Sequence, residues 1–209
     1  AVALIEAEKR KIIEQGYTRL EIELEYPTED HRKHSEKYID WYRECGFSFA
    51  TEEVHMKSDL ELIDLPDPSL SKEYSTMKFS DVPYDLLEEA GFETFLTSKD
   101  ELFLSMNHDE QRVTLEHFFD KEEEYVEDAS LVVVEERPLG FIITRMRGNE
   151  PEIGPIGVIP EARERGMANY LLVTALKNLR AQGKRTVNLD MSISNIPAKN
   201  LYQKYGFRD

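Results

Sequence analysis

The stretch from Glu152 to Ala168 constrains the fold of this chain more than any other. It begins as an extended apolar segment, passes through Pro160 and a short charged loop, and reaches Gly166 at the start of a strongly periodic helix. The first turn of such a helix has backbone N–H groups without intrahelical partners, and the helix dipole places partial positive charge there. We therefore predict an anion site at this turn and expect its ligand to carry phosphate.

The composition limits the classes of partner. Aspartate and glutamate outnumber lysine and arginine by 42 to 26, for a formal net charge of −16. This excess argues against a nucleic-acid partner, which favours a basic face, and is compatible with a cationic substrate such as an amine. No apolar run approaches the roughly 20 residues that span a bilayer, so we expect no membrane partner. The single cysteine, Cys45, and the lack of a signal-peptide pattern favour a cytoplasmic location.

The first part of the chain predicts two helices, each followed by an extended segment. Residues 2–15 carry apolar side chains on one helical face. Apolar and charged residues alternate from 20 to 24, which predicts a half-buried strand. A second helix is predicted from Lys33 to Glu44, and Phe47 to Met56 is predicted to be extended. The proline-containing segment that follows, residues 60–71, is interpreted as a linker.

After the linker the pattern of strands and helices begins afresh. Gly91 is predicted to end a helical turn, and Gln182 with Gly183 to end the long helix that follows Gly166. Besides the stretch before Pro160, strands are predicted at residues 76–82, 131–135, 139–145 and 186–191. Besides the helix after Gly166, helical segments are predicted at residues 85–90, 109–120 and 197–205.

Two regions of the chain resemble each other in the order of their elements. A Gln-Gly pair closes an amphipathic helix at residues 15–16 and again at 182–183, and a strand pattern follows each pair. The motif YRECGF at 42–47 then corresponds to YQKYGF at 202–207. The order helix, strand, loop, helix, Gly-Phe thus occurs twice, which suggests a duplicated domain. We expect a partial repeat at residues 1–65, a linker at 66–73 and a complete domain at 74–209.

Two motifs give this arrangement a family resemblance. The turn reads RERGMA at residues 163–168, preceded by Val158-Ile159-Pro160, and a second signature, with Ala, Leu-Tyr and Gly-Phe at set spacings, runs from Asn195 to Phe207. Together they resemble the GCN5-related N-acetyltransferases (GNAT superfamily). The resemblance implies an α+β fold with a mixed, mostly antiparallel β-sheet flanked by helices. With the repeat, it implies a tandem-GNAT type whose N-terminal copy is incomplete.

The chain departs from the family pattern in two ways. The family usually has two more strands after the Gly-Phe pair, whereas this sequence ends there. An unpaired last strand is an exposed edge, so we expect the extended segment at 47–56 to help complete the sheet. The first copy lacks the coenzyme loop, and we expect it not to be catalytic.

The resemblance implies transfer of an acetyl group from the co-substrate acetyl-CoA to a primary amine. Its pyrophosphate would lie on the N–H groups of the turn, with Arg163 facing the phosphates. Its pantetheine arm would add like a strand at Ile156 and Val158, and the Val158 N–H would polarise the thioester carbonyl. An ordinary strand–turn–helix with solvated arginines is the alternative. The expected coenzyme-binding residues are Ile156, Val158, Arg163, Glu164, Arg165, Gly166, Met167, Ala168, Asn195 and Tyr202.

Acid and base candidates come from the same resemblance. Tyr202 is the candidate general acid, because a phenol near the sulfur can protonate the departing thiolate; packing of its helix is the alternative. Asn195 is a coenzyme contact, an N-cap, or both. Glu152 is the candidate base, with an exposed strand-end carboxylate or a water chain as alternatives. His108 and His117 lie on or beside a helix that borders the acceptor pocket in relatives, although surface or packing roles are more common for such histidines.

The leading interpretation is an acetyl-CoA-dependent N-acetyltransferase that acts on a small-molecule or peptide amine. The sequence leaves open whether the chain forms a homodimer. A non-catalytic acyl-CoA-binding or scaffold domain is the alternative. A dinucleotide-binding enzyme would need a G-x-G-x-x-G turn, which this sequence lacks. None of the five histidines pairs with cysteines or carboxylates at a ligand spacing, so we predict no metal.

Overall fold

The computed structural model describes residues 1–17, 19–25 and 29–209, and contacts divide the chain into two compact units. The smaller unit is Ala1–Ala50, and the larger unit is Thr51–Asp209. This division lies before the predicted linker at 66–73, because a strand that precedes the linker already belongs to the sheet of the larger unit.

The smaller unit is helical in the residues described. It contains α1 (Val2–Glu14) and α2 (Glu29–Glu44), with Cys45 buried at the end of α2. Residues 19–25 form no strand, in contrast to their alternating pattern. A strand needs a neighbour for its backbone N–H and C=O groups, and the described part of this unit offers none. The two helices predicted in this region are therefore present, and the strand predicted at residues 20–24 is not.

The larger unit is built on one six-stranded sheet with the order β1-β6-β5-β4-β3-β2. All neighbouring strands are antiparallel except β5 and β6, which are parallel. The predicted mixed, mostly antiparallel sheet is thus confirmed. Its strands are β1 (Glu53–Asp59), β2 (Ser75–Lys78), β3 (Leu131–Val134), β4 (Pro138–Arg147), β5 (Glu150–Val158) and β6 (Thr186–Ser192).

Helices cover both faces of this sheet. Gly140 and Phe141 are adjacent in β4 and so face opposite sides: a Cβ at Gly140 would lie 3.4 Å from Leu171, and Phe141 packs on Phe95 and Phe119. The long helix that contains Leu171 and the helices that pack on Phe141 therefore lie on opposite faces of the sheet. The helices are α3 (Tyr84–Phe95), α4 (Glu101–Ser105), α5 (His108–Phe118), α6 (Met167–Ala181) and α7 (Ile196–Lys204).

The helix α3 is longer than its sequence predicts. It continues through Gly91 to Phe95 rather than ending at the glycine. Gly91 is needed for close packing, because a Cβ there would lie 2.8 Å from Phe119 and 2.9 Å from Leu115. The short helix α4 was not predicted from the sequence. Asp100 is its N-cap, and the Asp100 side chain accepts a hydrogen bond from the Phe103 N–H.

The segment interpreted as a linker is packed on the larger unit. Leu60 and Leu65 are buried in its core. Arg180 donates to the Ile63 carbonyl at 3.2 Å, and Lys177 lies 2.6 Å from a carboxylate oxygen of Asp67. The segment therefore carries no helix or strand but is held along α6.

The strand β1 completes the sheet beside β6. Its register runs from Glu53 opposite Ser192 to Asp59 opposite Thr186. On its other edge, the Lys57 N–H donates to the Arg208 carbonyl at 2.8 Å, and the Lys57 carbonyl accepts from the Arg208 N–H at 2.9 Å. The expectation that the extended segment near residues 47–56 joins the sheet is thus confirmed, from residue 53 onward. No helix in the described residues is long and apolar enough to cross a membrane.

Candidate active site

A cleft separates the second half of β5 from β6. The two parallel strands pair at a single position, Glu152 opposite Asn188. At the far end, the Ile159 N–H donates to the Leu139 carbonyl in β4. Because strand residues alternate in direction, the Val158 N–H and, two residues earlier, the Ile156 N–H point away from β4 into the cleft. Two strand N–H groups thus face a cleft that narrows to a vertex at Glu152.

The turn before α6 presents a second group of free N–H groups. Gly166 and Glu164 both have positive φ, at 82° and 63°, and the first hydrogen bond closed here is from the Tyr170 N–H to the Gly166 carbonyl. In the part of the chain that the structure describes, none of the N–H groups from Glu164 to Asn169 has a protein acceptor. A Cβ at Gly166 would meet nothing within 4 Å. The turn is therefore an open cradle of donors at a helix N-terminus, which suits an anion.

The side chains of the cradle point to different surroundings. Glu164 is exposed, and Arg165 reaches Tyr74, whose hydroxyl accepts a hydrogen bond at 2.9 Å. Met167 is buried in the core and Ala168 is half-buried against it. Only Arg165 can therefore add a full positive charge to the donors of the cradle, while Met167 and Ala168 contribute backbone N–H groups.

The guanidinium of Arg163 lies on protein groups. It donates to the Val158 carbonyl at 3.1 Å and, at the end of α3, to the carbonyls of Thr94 and Thr97, each at 3.1 Å. A fourth bond of 2.7 Å goes to the Thr97 hydroxyl. Carbonyls at a helix C-terminus carry partial negative charge, so this is a favourable position for a cation. The geometry favours a clamp between α3 and β5 over the predicted contact with phosphates.

Tyr202 and Asn195 lie on α7. Tyr202 is 6% exposed, and among the described residues no protein group hydrogen-bonds its hydroxyl. Burial raises the pKa of this phenol well above its usual range, which keeps it protonated at neutral pH. Asn195 is the N-cap of α7, and its side chain accepts a bond from the Ala198 N–H at 3.3 Å. Asn195 therefore acts as an N-cap. The Tyr202 hydroxyl carries the proton that a general acid donates.

Glu152 lies at the vertex of the cleft. It is half-buried, and its Oε1 is 3.4 Å from the Nε of Arg147. Its Oε2 has no partner within the described ranges. In β4, the buried Arg145 lies opposite Glu152 and donates to the carbonyls of His117, Phe118 and Asp120, which closes the end of α5. One carboxylate oxygen of Glu152 is thus available to accept a proton.

The two histidines differ in their surroundings. His108, the first residue of α5, stacks on Phe92 with ring centroids 5.1 Å apart, which gives its ring a packing role. His117 is exposed, and its backbone carbonyl accepts a hydrogen bond from Arg145. In the ranges described, no three histidine, cysteine, aspartate or glutamate side chains gather as a metal-binding group.

A polar network around Asn188 of β6 was not predicted from the sequence. Asn188 donates to Glu150 at 2.9 Å, and Glu150 also accepts from Thr186 at 2.8 Å and pairs with Lys57 at 2.6 Å. A signal was available, since polar residues alternate with Val187, Leu189 and Met191 in this strand. The pattern shows which side chains share a face, but the neighbouring strands that bring Glu150 and Lys57 to Asn188 cannot be read from it.

Comparison with known proteins agrees with this architecture. The sequence model of the acetyltransferase (GNAT) family matches residues 84–207. A mycothiol acetyltransferase from Clavibacter michiganensis subsp. michiganensis is 36% identical over 73 residues, which is 35% of this chain and 24% of that protein. The matched stretch therefore spans about a quarter of the relative's length.

Solved structures also resemble the chain. A functionally unknown conserved protein from Staphylococcus epidermidis superposes with a TM-score of 0.61 at 17% identity, covering 99% of this chain and 75% of its own. A tandem GNAT protein from the clavulanic acid biosynthesis pathway gives a TM-score of 0.54 at 16% identity, covering 82% and 55%. At these identities the likeness shows a shared fold.

Proposed function

The chain belongs to the acetyltransferase (GNAT) family, and from this premise we propose that it transfers an acetyl group from acetyl-CoA to a primary amine. The observation that supports this most is the presence of two sets of free N–H groups, one in the cradle at the start of α6 and one on the cleft side of β5. A ligand that matches both sets must carry an anion at one end and hydrogen-bonding amides at the other.

The cradle fits the pyrophosphate of the coenzyme. The free N–H groups from Arg165 to Asn169 and the dipole of α6 would bind the phosphate oxygens, and Arg165 would add a full charge. The open space at Gly166 allows a ligand to approach the backbone closely. Arg163 holds the end of β5 in place through the Val158 carbonyl.

The cleft fits the amide-rich pantetheine arm. The N–H groups of Ile156 and Val158 would pair with it as a neighbouring strand would. One of them would also polarise the thioester carbonyl. The family resemblance assigns this role to Val158. Ile156 lies two residues closer to Glu152 along the same edge, and we therefore assign the role to Ile156.

The protons can be followed through named groups. The amine arrives as an ammonium ion and gives one proton to Glu152, directly or through water. Its lone pair then forms a C–N bond to the thioester carbon, and the C–S bond breaks as the intermediate collapses. Tyr202 protonates the departing thiolate and is restored by the second proton that the nitrogen releases, so one net proton leaves with each acetyl group.

We also propose that residues 1–50 derive from an incomplete second copy of the family fold. The repeated order of elements in the sequence supports this, as do the two helices that the smaller unit contains. The likeness to a tandem GNAT protein is compatible with it. The described residues of the smaller unit contain no turn like the one at Gly166, so we place the catalytic site in the larger unit alone.

The test is release of coenzyme A thiol from acetyl-CoA in the presence of four primary amines: ethylamine, glucosamine, spermidine and a lysine-containing peptide. We expect amine-dependent thiol release and a product heavier by one acetyl group in the mass spectrum. Calorimetric titration with acetyl-CoA provides an independent measure of coenzyme binding. Binding without turnover on any amine would favour the acyl-CoA-binding module, and absence of binding at millimolar acetyl-CoA would contradict both functions.

A further inference from the structure

Asn188 occupies a special position in the cleft. It is the one β6 residue that pairs with β5, opposite the proposed base Glu152, and it is 6% exposed. Its side chain shares a face with that of Glu152, because directly paired residues of neighbouring strands point to the same side. The Glu152 carboxylate and the Asn188 amide therefore lie on the same face of the sheet at the vertex of the cleft.

The orientation of this amide is fixed by Glu150. The Asn188 Nδ2 lies 2.9 Å from Oε2 of Glu150, and a carboxylate only accepts hydrogen bonds, so the NH₂ group must face Glu150. Hydrogen bonds from Lys57, Asn188 and Thr186 lower the pKa of Glu150 to about 2, so it is ionised at neutral pH. The carbonyl oxygen Oδ1 on the other side of the planar amide is therefore turned away from Glu150.

This oxygen has no partner. Asn188 Oδ1 is buried, and no donor reaches it from the described residues. A buried acceptor without a donor is costly, and native structures keep one mainly where a ligand or water completes it. The charged side chains on this face, Lys57, Arg147 and Glu152, are between 28% and 48% exposed, so they can move aside for a small molecule.

We propose that Asn188 Oδ1 accepts a hydrogen bond from the nitrogen of the acceptor amine, beside the free Oε2 of Glu152. This inference rests on the proposed function. The two oxygens are acceptors on one face at the vertex, and an ammonium or amine nitrogen supplies N–H donors for both. Once Glu152 has taken a proton, the bond to Asn188 holds the neutral amine in place, so Asn188 binds the acceptor and Glu150 positions Asn188.

A second source of N–H groups is the pantetheine arm. The arm is expected to pair with Ile156 and Val158, which lie between the vertex and the cradle, whereas Asn188 lies at the narrow end beyond them. The acceptor amine is therefore the better match. The two sources predict different kinetics, because loss of the Asn188 carbonyl would raise KM for the amine in one case and for acetyl-CoA in the other.

The experiment compares Asn188→Leu with Thr186→Val in the full chain, using the fastest amine of the four-member panel. Thr186→Val removes another donor to Glu150 and leaves the Asn188 carbonyl intact, so it controls for disturbance of the network. We expect Asn188→Leu to raise KM for the amine at least tenfold, with KM for acetyl-CoA within twofold of wild type. Thr186→Val should leave KM for the amine and KM for acetyl-CoA within twofold of wild type.

Other outcomes overturn the inference. A rise in KM for acetyl-CoA alone would show that the oxygen serves pantetheine, and equal kinetics for Asn188→Leu and Thr186→Val would show that it binds no substrate. If circular dichroism shows that Asn188→Leu is unfolded, Asn188→Ser, which keeps a donor for Glu150, gives the same comparison. A wild-type chain that binds acetyl-CoA and acetylates no amine refutes the proposed function, and this inference with it. Turnover by wild type with unchanged variants refutes the inference alone.

Discussion

Replacing Arg163 by glutamine is expected to lower stability and turnover while leaving coenzyme affinity nearly unchanged. The guanidinium makes four hydrogen bonds, to Val158, Thr94 and, twice, Thr97. A hydrogen bond that involves a charged group contributes about 1.5–3 kcal/mol when it is well buried. Arg163 is only half-buried and the four bonds are not independent, so we expect about 2–3 kcal/mol in total.

For a unit of this size, a loss of that magnitude lowers Tm by about 4–12 °C. Turnover should fall about tenfold, because the clamp fixes the end of β5, which carries the cleft-facing N–H groups, and misplacement of such groups slows the reaction. Thermal unfolding and steady-state kinetics with varied acetyl-CoA measure the two effects.

Arg165→Gln is the matched control. Its guanidinium is exposed and makes one bond, to Tyr74, so the stability of this variant should stay close to that of wild type. Its charge borders the cradle, so KM for acetyl-CoA should rise about five- to tenfold. If Arg163→Gln instead keeps the wild-type Tm and raises KM for acetyl-CoA as much as Arg165→Gln does, Arg163 faces the phosphates and the clamp is wrong.

Three further predictions concern the turn, the acid and the network. Gly166→Ala and Gly148→Ala both place an alanine at positive φ with open space around it, so each should lower the free energy of unfolding by about 1–2 kcal/mol, as measured by thermal unfolding. Only Gly166→Ala should also raise KM for acetyl-CoA. Tyr202→Phe should lower kcat about 100-fold in steady-state assays, with KM unchanged, and wild-type activity should show no loss from phenol ionisation up to pH 10, since burial raises the pKa of Tyr202. Folding lowers the pKa of Glu150 from 4.5 to about 2. The stability advantage of wild type over Glu150→Gln should therefore be complete above pH 4.5 and disappear as the pH falls towards 2. Denaturant titrations at each pH measure this advantage.

Local features of the fold could be predicted because their causes are local. The helix predicted after Gly166 is α6, which ends at Ala181, and the strands predicted at residues 131–135 and 139–145 are β3 and β4. Apolar periodicity, a glycine at positive φ and a short polar turn determine these elements within a few residues. The cradle could be predicted for the same reason, because its donors are consecutive N–H groups of one turn.

Features that depend on distant partners could not be predicted in this way. Residues 20–24 alternate as a strand should but form none, while β1 becomes a strand because β6 is there to pair with it. Arg163 was expected at the phosphates, and its observed acceptors at Thr94 and Thr97 come from a helix whose packing the local pattern does not specify. Asn188 likewise becomes informative only once its neighbour across the sheet is known.

The cleft itself follows from two residues of β5. Pro155 has no backbone N–H to donate, and the register between β4 and β5 shifts opposite this proline. A bulge bends its strand, and β5 departs from β6 immediately after Glu152, just before the bulge. Gly157 then allows α3 to close on the bent strand, since a Cβ there would lie 2.6 Å from the Thr94 side chain. Pro155 and Gly157 therefore have two effects. On one edge, β5 separates from β6 and leaves the cleft; on one face, α3 packs close enough for Arg163 to donate to its C-terminal carbonyls.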